Sequence, residues 1–201
     1  MELPVFDELT FEEERHLYHL NGDLIPSVST VMKPLSQAQY KDIDESVLNM
    51  AAERGTAVHN AIENYVLYGL EDIAESYRGY FEAFKKWWED MHPKPIATES
   101  KVYHKILRYA GTADMPAFIG GEKILIDFKT SAAVNKMLTG VQLEAYAKAY
   151  ESHGYAFDGK AILHLQRNGQ YKWLYYDRND RENWETFGAL LTVYNHIQKY
   201  R

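Results

Sequence analysis

Apolar and polar positions recur at helical spacing over much of residues 44–91, then switch to the two-residue alternation of strands from residue 97 onward. The segment 44–67 reads as helix interrupted by Gly55, with Thr56 starting a second helix that carries His59 and Glu63. Residues 71–91 form another helix, rich in Tyr77, Tyr80, Phe81, Phe84, Trp87 and Trp88, which stops before Pro93 and Pro95. Strands are expected over 97–108, 111–119 and 123–129, the last two joined at Gly120-Gly121. A helix over 139–153 ends at Gly154, strands over 160–167 and 171–177 flank Asn168-Gly169, and a helix over 180–199 follows. Near the start, Asn21-Gly22-Asp23 between 14–20 and 24–25 predicts a short β-hairpin. Residues 25–32 then enter a short helix capped by Ser27 or Ser29. The order predicts an α/β fold, a mixed central sheet of about five strands flanked by helices. No internal repeat is present.

Composition narrows the chemistry. The 201 residues suit one domain, with a helical portion over about 1–95 and an α/β core over about 96–201. Apolar residues make up 46% and charged residues 25%, which is globular composition. No stretch reaches the roughly 20 apolar residues of a membrane span. The acidic opening residues lack the pattern of a secretory signal, so a cytoplasmic location without membrane contact is expected. The absence of cysteine excludes disulfides, thiolate zinc sites and thiol nucleophiles. Residues 1–90 hold 18 acids and 7 bases, whereas residues 91–201 hold 11 acids and 15 bases. The net charge of −7 disfavours indiscriminate nucleic-acid binding but leaves room for a local basic groove in the second portion.

The Gly120-Gly121 turn carries the sharpest geometric expectation. A two-residue turn there pairs Ile119 with Glu122, and the same register sets Asp114 opposite Asp127. Like charges facing across a ladder are destabilising. A divalent cation with oxygen ligands, Mg²⁺ or Mn²⁺, relieves the conflict. Lys129 leaves the same face of its strand as Asp127. A solvent-facing polar stripe in which Lys129 neutralises Asp127 fits the spacing as well; the opposed acids favour the metal.

Gly111-Thr-Ala-Asp114, Ile126-Asp-Phe-Lys-Thr130, Gln142-Leu-Glu-Ala-Tyr146 and the preceding Gly55-Thr-Ala-Val-His59 together resemble the PD-(D/E)XK nuclease superfamily, in its RecB-like exonuclease branch. The resemblance runs from Pro26 to Tyr146. It implies a restriction-endonuclease-like core and a metal-dependent deoxyribonuclease, most of all an exonuclease of DNA recombination, repair or phage replication. Metal ligation by His59, Asp114, Asp127 and the Phe128 carbonyl is implied, with Lys129 positioning or activating the attacking water. Gln142 and Tyr146 would support the site and the DNA. Ala113 stands where the superfamily's name places proline, a usual departure in this branch. Without cysteines, the iron–sulfur cluster of some members is not expected. DNA, as single strands or duplex ends, is the implied partner, with a recombination or replication protein as a further one. A structure-selective or nicking endonuclease with the same site, or an inactive DNA-binding module of this fold, are the alternatives.

Other residues carry two readings each. Glu63, four residues after His59, either orients it or is a surface acid. Gln142 and Tyr146 share a helix face, and Thr130 follows Lys129 directly. Glu99 either enters the site or is an exposed acid at a strand start. Lys101, Lys105 and Arg108, with Tyr103 and Tyr109 interleaved, either contact nucleic acid or form a solvated strand face. No Gly-rich loop ending in Lys-Ser or Lys-Thr is present, so ATP-driven activity would require a partner.

Overall fold

The computed structural model describes residues 3–200. An antiparallel meander of β1 (Leu9–Glu12), β2 (Leu17–Leu20) and β3 (Asp23–Ile25) leads to α1 (Val28–Tyr40) and α2 (Glu45–Tyr68). A 3₁₀ turn at Glu75–Tyr77 precedes α3 (Arg78–Met91). There follow β4 (Lys94–Pro95), β5 (Ser100–Tyr103), β6 (Ala110–Ala113), β7 (Met115–Ile119) and β8 (Glu122–Lys129). The remainder is α4 (Lys136–Glu151), β9 (Gly159–Leu165), β10 (Tyr171–Tyr176) and α5 (Arg181–Gln198). The principal sheet runs β10-β9-β8-β7-β4, and β5-β6 form a separate pair.

Among the strands of the described residues only β8 and β9 pair in parallel, and α4 supplies the crossover such a pair requires. The two faces of β8 then belong to different cores. Leu125 packs under α1, α4 and α5, whereas Ile124, Ile126 and Phe128 pack against α2 and α3 with Phe81, Phe84 and Trp87. Asp127 and Lys129 share the parity of Leu125 and so leave the strand on the α4 side. A buried ion pair between Lys160 on β9 and Glu144 on α4 ties the crossover down on that side.

The α/β class and a five-stranded mixed sheet agree with the sequence reading, and three hairpins do so in detail. Gly120 and Gly121 both have positive φ (60° and 95°), which a tight turn between right-twisted strands demands. The resulting register is the expected one, Ile119 opposite Glu122 through Met115 opposite Ile126. Asn21-Gly22 turns β2 into β3, and the 166–170 loop turns β9 into β10.

Four expectations are corrected. Helix α2 runs through Gly55 without a break, because its Asp44 and Gly69 caps and the burial of Val58, Ala61 and Ile62 outweigh one glycine. The helix expected from residue 71 starts only at the 3₁₀ turn. The strand expected over 97–108 is confined to Ser100–Tyr103, because residues 104–108 fold into a loop closed by an Arg108 N–H to His104 O bond. The strand expected over 111–119 is cut at Asp114 into β6 and β7, which belong to different sheets, and the fifth strand of the main sheet is the two-residue β4. The additional strand β1 was not anticipated. Ser27 rather than Ser29 caps α1, accepting from the Thr30 N–H at 3.0 Å.

Two glycines make opposite demands. A Cβ on Gly55 would meet no atom within 4 Å, whereas one on Gly111 would lie 2.3 Å from Tyr146 Cε1. Gly55→Ala is expected to raise unfolding stability by about 0.5–1 kcal/mol, the helix-interior difference between the two residues. Gly111→Ala is expected to lower it by about 1–3 kcal/mol through overpacking. Denaturant titration of both variants checks the contrast.

Candidate metal centre

The cut between β6 and β7 makes the site. At the bend, Asp114 Oδ2 accepts the Phe128 N–H at 2.6 Å, so the acid caps the end of the β7–β8 ladder. The Phe128 carbonyl lies 3.3 Å from His59 Nε2. One peptide segment of β8 is thus held from both sides, by a carboxylate from the sheet and an imidazole from α2. The other ring nitrogen, His59 Nδ1, lies 3.6 Å from Asp114 Oδ2 and 3.7 Å from Glu99 Oε1. Glu99 adopts a left-handed backbone (φ 44°), and its N–H donates to the Asp114 carbonyl at 2.9 Å. A non-glycine residue pays about 1–2 kcal/mol for that conformation; here it sets the Glu99 side chain beside Asp114.

His59, Glu99 and Asp114 therefore offer ligand atoms that all lie within 4.8 Å of one another. Octahedral ligands about 2.1 Å from an ion stand about 3–4.2 Å apart, and the two imidazole–carboxylate separations fall in that span. Asp127 lies outside this trio. Its Oδ2 is 2.5 Å from Lys129 Nζ, a close ion pair in which the ammonium donates. A carboxylate buried beside two more acids and an imidazole fits a hard divalent cation. With a neutral imidazole, three carboxylates against one ammonium leave a net charge of −2 to be matched.

The protonation equilibria reflect this crowding. Burial pushes Asp127 up to about 6; the Lys129 ammonium opposes the rise and the charge of Asp114 adds to it. Burial likewise raises Asp114, against the pull of His59 and Lys129. For His59 burial opposes the charge, but the field of Asp114 and the nearby Glu99 carboxylate prevail and hold the imidazolium to about 9. For Lys129, too, burial is overcome by Asp127 and Asp114, and its ammonium is held above the ordinary lysine range. In the absence of metal, Lys129 is thus a cation and a donor.

The remaining expected residues divide. Tyr146 is buried against Gly111 and receives a 3.2 Å bond from Gln142 Nε2; the fields of Asp127 and Asp114 reach its phenol, whose pKa burial raises. Thr130 is buried and its hydroxyl accepts from Arg54 Nε at 3.3 Å. Glu63 does not orient His59. Both ring nitrogens face other groups, and among the described residues Glu63 makes no hydrogen bond or ion pair with it. The interleaved basic cluster also fails as a stacking surface. Tyr103 and Tyr109 are buried, bonded to Glu8 and to the Ala145 carbonyl, and Arg108 pairs with Asp23. Arg54 is the residue sequence reasoning missed. It stands one turn before Val58–His59 on α2, and the supposed break at Gly55 hid that relation.

The sequence matches no protein-family model and no curated protein. Among solved structures, the chain is similar to SSO0001 at 15% identity and TM-score 0.49, over 86% of this chain and 75% of that one. It is also similar to the alkaline exonuclease LHK-Exo of Laribacter hongkongensis at 14% identity and TM-score 0.43, over 86% and 87% of the two chains. The same enzyme in complex with dAMP gives 14% identity and TM-score 0.42, over 88% of each chain.

In EDTA the raised values of Asp127 and His59 act in the same direction. The folded chain keeps a proton that the unfolded chain releases, between about 4 and 6 at Asp127 and about 6.5 and 9 at His59. The corresponding stability is complete below each lower value and lost as pH rises through each upper one. Thermal melts in EDTA should therefore show a falling limb between pH 4 and 6 that Asp127→Asn flattens. His59→Gln should flatten the limb between 6.5 and 9. Variant profiles parallel to the wild type would refute the assignment.

Proposed function

We propose that the chain is a metal-dependent deoxyribonuclease of the PD-(D/E)XK type, acting as an exonuclease on DNA ends or single strands, with residues 1–95 and 96–201 forming one nuclease domain. The observation that carries the reading is the meeting of His59, Glu99 and Asp114 at the end of a ladder where Lys129 leans on Asp127. The ordered motifs that gave the resemblance contribute each of these residues except Glu99. Mg²⁺ or Mn²⁺ would be held by His59, Asp114, Asp127 and the Phe128 carbonyl, with Glu99 as an added ligand. When bound, such an ion supplies Lewis acidity toward the phosphoryl oxygen and lowers the pKa of a coordinated water.

The protein's own groups account for the rest. Phosphodiester hydrolysis places growing negative charge on the phosphoryl and leaving oxygens. The Lys129 ammonium, fixed beside Asp127 and kept protonated, is a preorganised countercharge there. Asp127 holds that ammonium and hands over the field as a substrate phosphate approaches. Asp114 fixes the Phe128 peptide, and His59 approaches from the α2 layer, so the donors need little rearrangement. Tyr146 and Gln142 brace the floor of the site. The expected products carry a 5′-phosphate and a 3′-hydroxyl.

End-labelled linear DNA, single- and double-stranded, and closed circles test this with Mg²⁺, Mn²⁺ or EDTA. We expect metal-dependent shortening of linear DNA, reduced by about 10²–10³ or more in Lys129→Met and Asp114→Asn. Glu99→Gln should weaken the apparent metal affinity by about 10–100-fold while activity returns at high metal. DNA binding without cleavage under every metal condition would overturn the enzyme reading, and cutting of closed circles would reassign it to an endonuclease.

A further inference from the structure

Helix α2 presents more to the site than His59. Val47, Met50, Ala51 and Arg54 recur at three- and four-residue spacing on one face, and Gly55 and His59 continue it by another turn. From Val47 to His59 is about 18 Å along the axis, the length of about five stacked bases. Beside the Val47 end lies a groove of about 870 Å³, between α2 and the loop that follows β8, with Ile43, Val47, Leu48, Met50, Tyr80 and Val134 in its walls. Ile43, Val47 and Met50 are 43%, 49% and 57% exposed, although apolar. A second hollow of about 310 Å³ shares Ala51, Arg54 and Ser131 with the groove and reaches His59 and Lys129. At its wall the bare Cα of Gly55 leaves open space.

The charge along this path is one-sided. The first 90 residues are strongly acidic, yet no acidic side chain lines either hollow among the described residues, and Arg54 and Lys129 do. Arg54 also lies over the Tyr80 ring at 5.4 Å and bonds Thr130, so its guanidinium is already fixed as a flat, charged platform. An apolar trough that leads past two cations to a set of acids and an imidazole suits a polyanion that carries apolar faces. A duplex hides those faces in its stack; an unpaired strand offers them.

We infer that the α2 groove is a subsite for the unpaired bases of single-stranded DNA, feeding the strand past Arg54 to the candidate metal centre. This rests on the nuclease reading and adds to it the form of the substrate: an unpaired strand several nucleotides long, gripped by its bases.

Binding in EDTA isolates the groove from the chemistry. Fluorescence anisotropy compares a thymidine strand of about a dozen nucleotides, an abasic strand of equal length and a duplex. The wild type should bind the thymidine strand about tenfold or more tighter than the abasic one, the scale of one or more stacked bases. Val47→Asp and Met50→Asp replace exposed side chains, and each should erase that preference while metal-dependent hydrolysis of a dinucleotide persists. Equal affinity for thymidine and abasic strands overturns the inference, as does unchanged strand preference in both variants. Sedimentation that shows Met50→Asp splitting a dimer without altering strand binding also overturns it, by making the groove an interface between copies. Failure of the nuclease reading shows separately, as end-labelled linear DNA left uncut by the wild type with every metal.

Discussion

Two carboxylates, Asp114 and Asp127, are buried within reach of each other's fields, and the site is organised around making that tolerable. An isolated buried ion costs several kcal/mol, more than most single packing contacts return. The chain answers with three compensations: the Phe128 N–H on Asp114, the ammonium of Lys129 against Asp127, and an imidazole whose proton is retained well above its usual range. With the imidazole neutral they leave three carboxylates against one ammonium. A divalent cation at this point would match that charge.

The backbone does as much as the side chains. Ending β6 at Ala113 and restarting the strand as β7 at Met115 frees Asp114 from an ordinary pairing position and turns it toward the next strand. The same bend accepts the Glu99 N–H, which draws a third acid in from a loop. A continuous strand over 111–119 would have kept Asp114 in the expected pairing opposite Asp127. The departure from regular sheet is thus where the chemistry collects.

Local rules were legible in the sequence where one turn decides the outcome. Gly120-Gly121 set the β7–β8 register, and hence the neighbourhood of Asp114 and Asp127, because glycine accepts two successive positive φ values without a Cβ penalty. Tertiary effects were less legible. Gly55 was read as a break because its local propensity is poor, but the packing of Val58, Ala61 and Ile62 carries α2 across it. Glu99 was ambiguous because its placement depends on a left-handed residue and a bond to Asp114, neither of which has a compositional signal. Tyr103 and Tyr109 looked available for stacking because alternation cannot say which face a small separate hairpin buries. The motif residues His59, Asp114, Asp127, Lys129 and Tyr146 were identified together by their order, and the fold brings them to one end of β8.

That end of β8 lies on a seam. His59 is carried by the helices packed on one surface of the sheet, whereas Asp127 and Lys129 face those packed on the other, and the Phe128 peptide is the thread between them. Loosening of the α2–α3 side, at Phe84 or Val58 for example, would shift the imidazole while leaving the aspartates where they are. Rigidity in two separate oily slabs thereby becomes a requirement for alignment at a single point. Damage far from any carboxylate can then silence the centre by parallax alone, with every one of its residues intact.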